Sequence, residues 1–250
     1  MNRTADANPI PLVSAPPDPN WRPIRPKNAA TLVLVDRSGG RPRVLMGRRH
    51  DNHRFLPGKY VFPGGRVDPA DSRIAPLADV TADTRRRLMV KMRGGARASM
   101  ARALALAAIR ETYEEAGLLV GRGVDAPPQT RSPSWRRFFA HGIVPALDGM
   151  VFIARAITPP RRPRRFDTRF FALDAGAVAS DAGRIETPSD ELLEVNWLTF
   201  EEARAIDIPN ITRFVLGEIE ERLETGQLAA PRRPVPFFYM HGRKFVREDL

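Results

Sequence analysis

The chain has 250 residues, and its lack of cysteine excludes both a disulfide framework and a thiolate-based site. Its 40 Lys and Arg residues outnumber its 29 Asp and Glu residues, and the resulting net charge of +11 favours anionic partners such as nucleic acid, an anionic membrane surface or phosphorylated small molecules. No segment has the apolar length that spans a membrane, and the N-terminus has no apolar signal core, so we expect a soluble cytoplasmic protein without a membrane partner.

The first part of the chain predicts a proline-rich extension followed by three strands. Prolines recur throughout residues 1–28 and prevent regular structure there. Apolar and β-branched runs then predict strands at 31–35, 43–49 and 60–62. The third strand stops at Pro63-Gly64-Gly65.

The middle of the chain is organised around one long helix. Its Ala- and Leu-rich sequence predicts a helix over 96–115, and Gly117 is a candidate C-cap. The segment 72–96 before it is polar and basic and includes a short predicted helix at 82–89.

The segment after the long helix, residues 121–148, is predicted to be a loop that carries an aromatic cluster. Its members Trp135, Phe138 and Phe139 could stack on an adenine. Packing is the commoner role of aromatic side chains, so we expect these three to lie in the core or against the loop.

The last part of the chain predicts further strands, two helices and a terminal hairpin. The strands are 150–157, 166–173 and 191–198. One helix begins at Thr199, a second helix spans 211–223, and the hairpin covers 237–246. Strands around one long helix, without regular βαβ alternation, predict an α/β fold of the α+β type with a mixed, partly antiparallel sheet. We expect one domain at 29–228, carrying the 72–96 insertion, between extensions at 1–28 and 229–250.

Three glutamates crowd one side of the long helix. At about 100° per residue, Glu111, Glu114 and Glu115 fall within roughly a third of its circumference. Like charges at this spacing repel one another, so either solvent or a bound cation must compensate them. Carboxylate clusters without His or Cys suit a hard divalent ion such as Mg²⁺ or Mn²⁺.

The sequence around this cluster resembles the Nudix box. In that family a Gly is followed by a Glu and then by Arg-Glu-hydrophobic-any-Glu-Glu-any-Gly-hydrophobic. Here Gly65 is followed by Asp71 and then by Arg110-Glu111-Thr112-Tyr113-Glu114-Glu115-Ala116-Gly117-Leu118, and the Phe-Pro-Gly-Gly end of the preceding strand also matches. The chain departs from the pattern at Asp71, at Thr112 in place of an aliphatic residue, and in a much longer spacer between the two halves.

The resemblance implies an α/β/α sandwich and metal-dependent hydrolysis of a diphosphate. The Mg²⁺ or Mn²⁺ ligands that it implies are Glu111, Glu114, Glu115 and the carbonyl of Gly64. Glu111 is alternatively the general base, and Glu191 is a candidate further ligand or base from a neighbouring loop. Arg110 lies one turn before Glu114, from where it can pair with acids of the cluster and hold their rotamers.

One branch of the family is particularly similar. Segments 45–65 and 165–171, together with the insertion inside the box, look like coenzyme A diphosphatases with an interrupted box. This similarity implies hydrolysis of coenzyme A or acyl-coenzyme A to 3′,5′-ADP and a 4′-phosphopantetheine product. ADP-ribose, dinucleoside polyphosphates and capped RNA are alternative substrates of the same chemistry. A non-catalytic Nudix-like module that binds a nucleotide or nucleic acid is an alternative of another class.

Basic residues near the Gly64 end of the sheet are candidates for binding the phosphates of the substrate. They are Arg48, Arg49, Arg54 and Lys59. The denser run at 161–165 is either a solvated loop or a flap that contacts phosphate. The insertion could cover the active site, mediate a homodimer contact or simply be tolerated.

Overall fold

The computed structural model describes residues 24–52, 56–179, 186–226, 228, 233–242 and 244–250. The described strands are β1 (Lys27–Asp36), β2 (Arg43–Arg49), β3 (Tyr60–Val61), β4 (Gly64–Arg66), β5 (Arg122–Gly123), β6 (Ile143–Val144), β7 (Val151–Ile157), β8 (Phe166–Asp174), β9 (Leu192–Thr199), β10 (Pro236–His241) and β11 (Lys244–Asp249). The described helices are α1 (Ala82–Met89), α2 (Ala98–Ala116), α3 (Pro133–Phe139), α4 (Phe200–Ala205) and α5 (Asn210–Glu224).

Nine of these strands form one mixed sheet. Its main path runs β11-β10-β7-β8-β1-β2-β3, while β4 pairs with β1 and β9 pairs with β2. The pairs β1–β8 and β7–β10 are parallel. The other pairs are antiparallel, so the mixed, partly antiparallel sheet that the sequence predicts is confirmed.

Helices cover both faces of this sheet. Side chains alternate along β1, as the pleat requires. Leu32 and Leu34 pack in the core cluster that contains residues of α1, α2 and α3. Val33 and Val35 pack in the opposite cluster with residues of α4 and α5. The predicted α/β/α arrangement is therefore present.

The long helix α2 spans Ala98–Ala116, compared with the predicted 96–115, and its C-cap is Gly117 as the sequence indicates. Most of its Ala and Leu side chains are buried against the sheet. Gly117 has a φ of 67°, in the left-handed region that favours glycine, and its N–H donates to the carbonyl of Tyr113 at 2.9 Å. This geometry confirms the C-cap.

The segment 121–148 is not the loop that its sequence predicts. It contains α3 and the strand pair β5–β6. Proline at the first position of α3 hid the helix, although proline is well tolerated there. Trp135, Phe138 and Phe139 are buried and in mutual ring contact, so the expectation of core packing is confirmed.

The C-terminal hairpin is confirmed as β10 and β11 and belongs to the main sheet, because β10 pairs with β7. The insertion 72–96 is also linked to this sheet by hydrogen bonds. The guanidinium of Arg155 on β7 donates to the carbonyls of Val90 and Lys91 at 3.1 and 3.2 Å. Within the described residues, no helix combines the length and apolar character needed to cross a membrane.

Candidate active site

A cavity of about 680 Å³ lies over one face of the sheet. Alternate residues of two paired strands form part of its lining. Lys27, Ala29 and Thr31 of β1 line it, as do Thr168 and Phe170 of β8. Because residues two apart on a strand share a face, this lining follows directly from the strand register.

Three further parts of the chain also line the cavity. The Pro- and Arg-rich segment 159–165 contributes one wall, and the start of α5 contributes Pro209, Ile211 and Thr212. At the other end lie Gly64 and Gly65 of β4 together with Glu111 of α2. The Gly-Gly strand end and the acidic helix, far apart in the sequence, therefore meet as the resemblance predicts.

The two glycines allow close approach between strand and helix. The Gly64 N–H donates to Glu115 Oε2 at 2.9 Å. A Cβ on Gly65 would lie only 2.5 Å from the Glu111 carboxylate carbon. A Cβ on Gly64 would instead meet Thr31 and the Ala30 carbonyl, so glycine at 65 admits the Glu111 carboxylate and glycine at 64 lets β4 approach β1.

Arg110 holds the acidic side chains around it. Its Nη1 donates to Glu111 Oε1 at 2.8 Å and to Glu114 Oε2 at 2.7 Å. Its Nε and Nη2 donate to the Asp71 carboxylate at 2.9 and 3.2 Å, and Nη2 also reaches the Arg66 carbonyl at 2.9 Å. The pairing inferred from the helix spacing is thus extended by a buried acid from outside the helix.

Asp71 is fully buried and serves as the anchor of this arrangement. Besides Arg110, it accepts hydrogen bonds from Trp135 Nε1 at 2.9 Å and from the Asp68 N–H at 2.8 Å. The residue that departs from the family pattern thus still occupies an ion-pair position. Its shorter side chain is reached by an indole donor from α3.

Burial and crowding shift the protonation of two glutamates. Burial raises the pKa of Glu111 to about 7, with Arg110 acting against the shift and Glu114 and Glu191 adding to it. Burial also raises the pKa of Glu115 well above its ordinary value, and the Glu111 charge adds to that shift. Glu115 Oε1 is buried without a hydrogen-bond partner among the described residues.

These carboxylates fit a hard divalent cation only in part. Within the described ranges, no three His, Cys, Asp or Glu side chains are arranged to hold a metal ion. Glu114 is paired with Arg110, and Gly64 contributes its N–H to Glu115. Glu111 and Glu115 nevertheless provide a partly buried and a buried carboxylate that repel each other, and one unpartnered oxygen, which is the donor chemistry that such an ion compensates.

The other residues predicted for the site are divided between the cavity and the surface. Arg49 and Glu191 both line the cavity, and Arg49 Nη2 lies 3.6 Å from Glu191 Oε2. Arg48 is not part of the lining and pairs with Asp51 and Glu194. Lys59 is likewise outside the lining and pairs with Asp207, while Arg54 falls outside the described residues.

Sequence reasoning missed other cations of the cavity. Lys27 and Arg66 line it, and they carried no motif signal. Arg164 and Arg165 also line it. Between the two alternatives for the 161–165 run, this placement favours a wall that can contact a ligand over a fully solvated loop.

Comparisons with known proteins agree with this geometry. No protein-family model matches the chain. The "Putative nudix hydrolase 7" of Caenorhabditis elegans is 25% identical over 189 residues, which cover 72% of this chain and 52% of that protein. The chain therefore spans about half the length of this curated relative.

A solved structure is similar over more of its length. The NUDIX hydrolase from Alicyclobacillus acidocaldarius is 28% identical, with a TM-score of 0.57, and the match covers 83% of this chain and 93% of that chain. The overall fold of this chain is therefore similar to that of a NUDIX hydrolase.

Proposed function

We propose that this chain, whose sequence relative and structural neighbour support membership of the Nudix hydrolase superfamily, hydrolyses a diphosphate linkage with the help of a divalent cation. The proposed substrate class is a nucleoside diphosphate joined to a second group. Coenzyme A and its acyl esters are the favoured members of this class, on the strength of the sequence similarity around 45–65 and 165–171.

One observation carries the proposal. Glu111 lies against Gly65 at the end of a cavity that is otherwise rich in cations. Glu115, which is not part of the lining, accepts the Gly64 N–H, and its Oε1 has no partner among the described residues. Two buried carboxylates that repel each other destabilise a protein that has no ligand for them. Their retention beside a cationic cavity is what a phosphate-cleaving site requires.

The residues of the site would have different roles in this reaction. A bound Mg²⁺ or Mn²⁺ held by Glu111 and Glu115 would neutralise the diphosphate and polarise its phosphorus. Arg110 fixes the rotamer of Glu111. Where Glu111 is not a ligand of that ion, it is the alternative candidate for the general base that takes a proton from water. Arg49, oriented by Glu191, is positioned to donate to a phosphate oxygen.

Product analysis tests the proposal directly. The purified protein would be incubated with coenzyme A, ADP-ribose and diadenosine polyphosphates in Mg²⁺ or Mn²⁺, and the products separated by chromatography. We expect coenzyme A to give 3′,5′-ADP and a 4′-phosphopantetheine product. Turnover of another compound but not of coenzyme A would keep the chemistry and replace the substrate.

Variants locate the activity. Glu111→Gln and Glu115→Gln should each lower turnover by about 100-fold or more, because each removes a charge that the site uses. Glu201→Gln, an exposed residue on α4, is the matched control and should be unaffected. Undiminished turnover by Glu115→Gln would reject the site. Salt-sensitive duplex binding without hydrolysis of any diphosphate would instead support a non-catalytic nucleic-acid module.

A further inference from the structure

The cations that line the cavity fall into two groups. Arg110 and Arg49 are engaged by carboxylates. The remaining four have no carboxylate within ion-pair distance in the part of the chain that the structure describes, and they are Lys27, Arg66, Arg164 and Arg165. On the neighbouring strand β2, by contrast, Arg43 is paired with Asp36. A concentration of unpaired cations in a concave surface attracts anions.

The register of β1 gives the distance between these cations and the carboxylates. Ala30 lies opposite Gly65, which contacts Glu111, and Lys27 lies three positions earlier on the same strand. At about 3.3 Å per residue, Lys27 is about 10 Å from the carboxylate end of the cavity. Arg66, opposite Ala29, lies between the two.

The Pro- and Arg-rich wall meets β1 at the same place. The Lys27 N–H donates to the Arg165 carbonyl at 3.0 Å, which brings residues 164 and 165 beside Lys27. The Arg165 guanidinium donates to the carbonyls of Thr158 and Ile24, which fixes its position. Burial, and then the charge of nearby Arg93, lower the pKa of Arg165, so an anion at this end would relieve charge crowding.

The start of α5 adds a favourable dipole at the cavity. Pro209 is the N-cap of this 15-residue helix and supplies no side-chain cap, and both Pro209 and Ile211 line the cavity. The positive end of a helix dipole stabilises a nearby negative charge. This feature supports the cations and would not by itself define a site.

We propose that Lys27, Arg66 and Arg164 form a second anion subsite of the cavity, which binds a phosphate monoester of the substrate separate from the diphosphate that is cleaved. The inference rests on the proposed function, since it assumes that the diphosphate lies at the Glu111 end. It restricts the substrate class to nucleoside diphosphate derivatives that carry an additional phosphate. Arg165 holds the wall in place through its bonds to backbone carbonyls.

A binding comparison tests the subsite without requiring turnover. Calorimetry in EDTA would compare adenosine 3′,5′-bisphosphate with adenosine 5′-monophosphate, which differ by one phosphate monoester. We expect the wild-type protein to bind the bisphosphate about tenfold more tightly, as one or two charge-assisted hydrogen bonds would provide. The double variant Lys27→Gln/Arg164→Gln should bind the two nucleotides equally, with affinity for the monophosphate changed by less than about twofold.

Two controls separate a specific subsite from net charge and from misfolding. Arg136→Gln removes a positive charge from an exposed position on α3, and it should preserve the preference for the bisphosphate. Arg164→Lys should also preserve it in part. Because Lys27 and Arg164 are exposed, the double variant should keep the wild-type thermal unfolding temperature. Equal affinity of the wild-type protein for the two nucleotides, or an equal loss in Arg136→Gln, would overturn the inference.

Turnover then distinguishes the inference from the proposed function. Coenzyme A and 3′-dephospho-coenzyme A share the same diphosphate and differ by the monoester. Hydrolysis of both at equal efficiency, without a binding preference, would reject the subsite and keep the function. A preference for the bisphosphate without hydrolysis of any diphosphate would keep the subsite as a nucleotide-binding site and reject the function.

Discussion

Glu115 and Glu218 are both buried glutamates on helices, but their surroundings differ. Glu218 is paired with Arg222 at 2.6 Å and with Arg233 at 3.2 Å. Glu115 receives the Gly64 N–H on one oxygen, and its other oxygen has no partner among the described residues. Although both glutamates are buried on helices, replacing them by Gln is therefore expected to have opposite effects on the free energy of unfolding.

Replacing Glu115 by Gln should not destabilise the metal-free protein at neutral pH. The substitution removes a carboxyl group whose ionised form is disfavoured by burial and by the Glu111 charge, so the free energy of unfolding should stay the same or rise by about 1–2 kcal/mol. Denaturant unfolding in EDTA at pH 7.5 measures this. A loss of several kcal/mol would mean that Glu115 is a structural residue and would argue against its assignment to the site.

Glu218→Gln is the matched control, and it should destabilise. It leaves the buried Arg222 without its acid, which typically costs about 3–5 kcal/mol for a buried pair, whereas Arg233 keeps its pairing with Glu221. The same unfolding measurement applies. Equal changes in the free energy of unfolding for Glu115→Gln and Glu218→Gln would show that ion-pair partners do not determine how these glutamates affect stability.

Glu111 makes the stability of the metal-free protein depend on pH. Its folded-state pKa of about 7 lies above the ordinary 4.5, so the folded state binds the proton more tightly than the unfolded state. Stability is therefore highest below about pH 4.5 for this group, and it falls as the pH rises towards 7. The shift corresponds to about 3 kcal/mol. Thermal unfolding in EDTA between pH 5 and 8 should show the decline, and Glu111→Gln should reduce it, with the part that belongs to Glu115 remaining.

Asp71→Glu tests the departure from the family pattern. Asp71 has no exposed surface and contacts Arg110, Trp135 and the Asp68 N–H, so an added methylene should cost about 1–3 kcal/mol although it restores the family's residue. Asp207→Glu, at an exposed ion pair, should be neutral. Trp135→Phe removes bulk and a hydrogen-bond donor beside Asp71. The double variant Asp71→Glu/Trp135→Phe should therefore lose less stability than the sum of the two single variants. Strict additivity in a thermal unfolding series would contradict this packing argument.

At the scale of elements, the junction between β4 and α2 separates stability from activity. A Cβ on Gly65 would meet the end of the Glu111 side chain, which can rotate away, whereas a Cβ on Gly64 would meet the Ala30 carbonyl and Thr31 Cα at 2.6 and 2.7 Å. Gly65→Ala should therefore keep the fold and lose diphosphatase activity. Gly64→Ala should unfold at a lower temperature because backbone cannot move aside cheaply.

Gly39→Ala is the control for both glycine variants, since a Cβ there would have no neighbour within 4 Å. Circular dichroism melting and a coenzyme A assay on the three variants would measure stability and activity separately. Full activity in Gly65→Ala would show that the position of Glu111 against the strand is not needed for catalysis.

Local signals in the sequence predicted these elements well. The strand that stops at glycine, the long helix and its cap at Gly117 all depend on residues near one another in the chain, and all are present. The missed helix α3 shows the limit of such signals, because its stability comes from burial of Trp135 and Phe138 against distant residues. The sequence shows the aromatic cluster of this segment, but it does not show the partners against which those side chains are buried.

The cations of the cavity show a different limit, which is register between distant strands. Arg48 and Arg49 are neighbours in sequence, but β2 has an irregularity between Met46 and Arg48, so the alternation could not be extrapolated along the strand. Lys27 reaches the cavity wall because β1 pairs in parallel with β8. No local motif announces a pairing across that distance along the chain, so Lys27 and Arg164 could not be placed together beforehand.

At the scale of the whole molecule, part of the positive charge behind the net value of +11 lies in the cavity. Surface cations such as Arg37 and Arg43 are paired with acids, whereas several that line the cavity have no acid partner in the described part of the chain. The excess of positive charge that favoured anionic partners in the sequence is thus partly concentrated where a substrate would bind. A phosphorylated ligand in the cavity, as proposed above, would compensate part of this charge.

Removing the C-terminal hairpin tests whether the region after residue 228 is an appendage or a part of the fold. Truncation before β10 would expose the edge of β7 and remove Phe237 and Phe238, which are buried against the rest of the protein. Arg155 would also lose its stacking on Phe237, at 4.2 Å from the ring centroid. An uncovered edge strand beside lost core residues favours unfolding and aggregation.

We therefore expect the truncated chain to be insoluble or to unfold well below the full-length protein. Phe238→Ala in the intact chain, which should cost about 3–5 kcal/mol, provides a milder variant that stays folded enough to measure. Size-exclusion chromatography and thermal unfolding would compare the three proteins. A truncated chain that is monomeric, with the full unfolding temperature, would show that the sheet is complete at β7, and then the cation-lined cavity would depend only on the strands from β1 to β9 and the helices beside them.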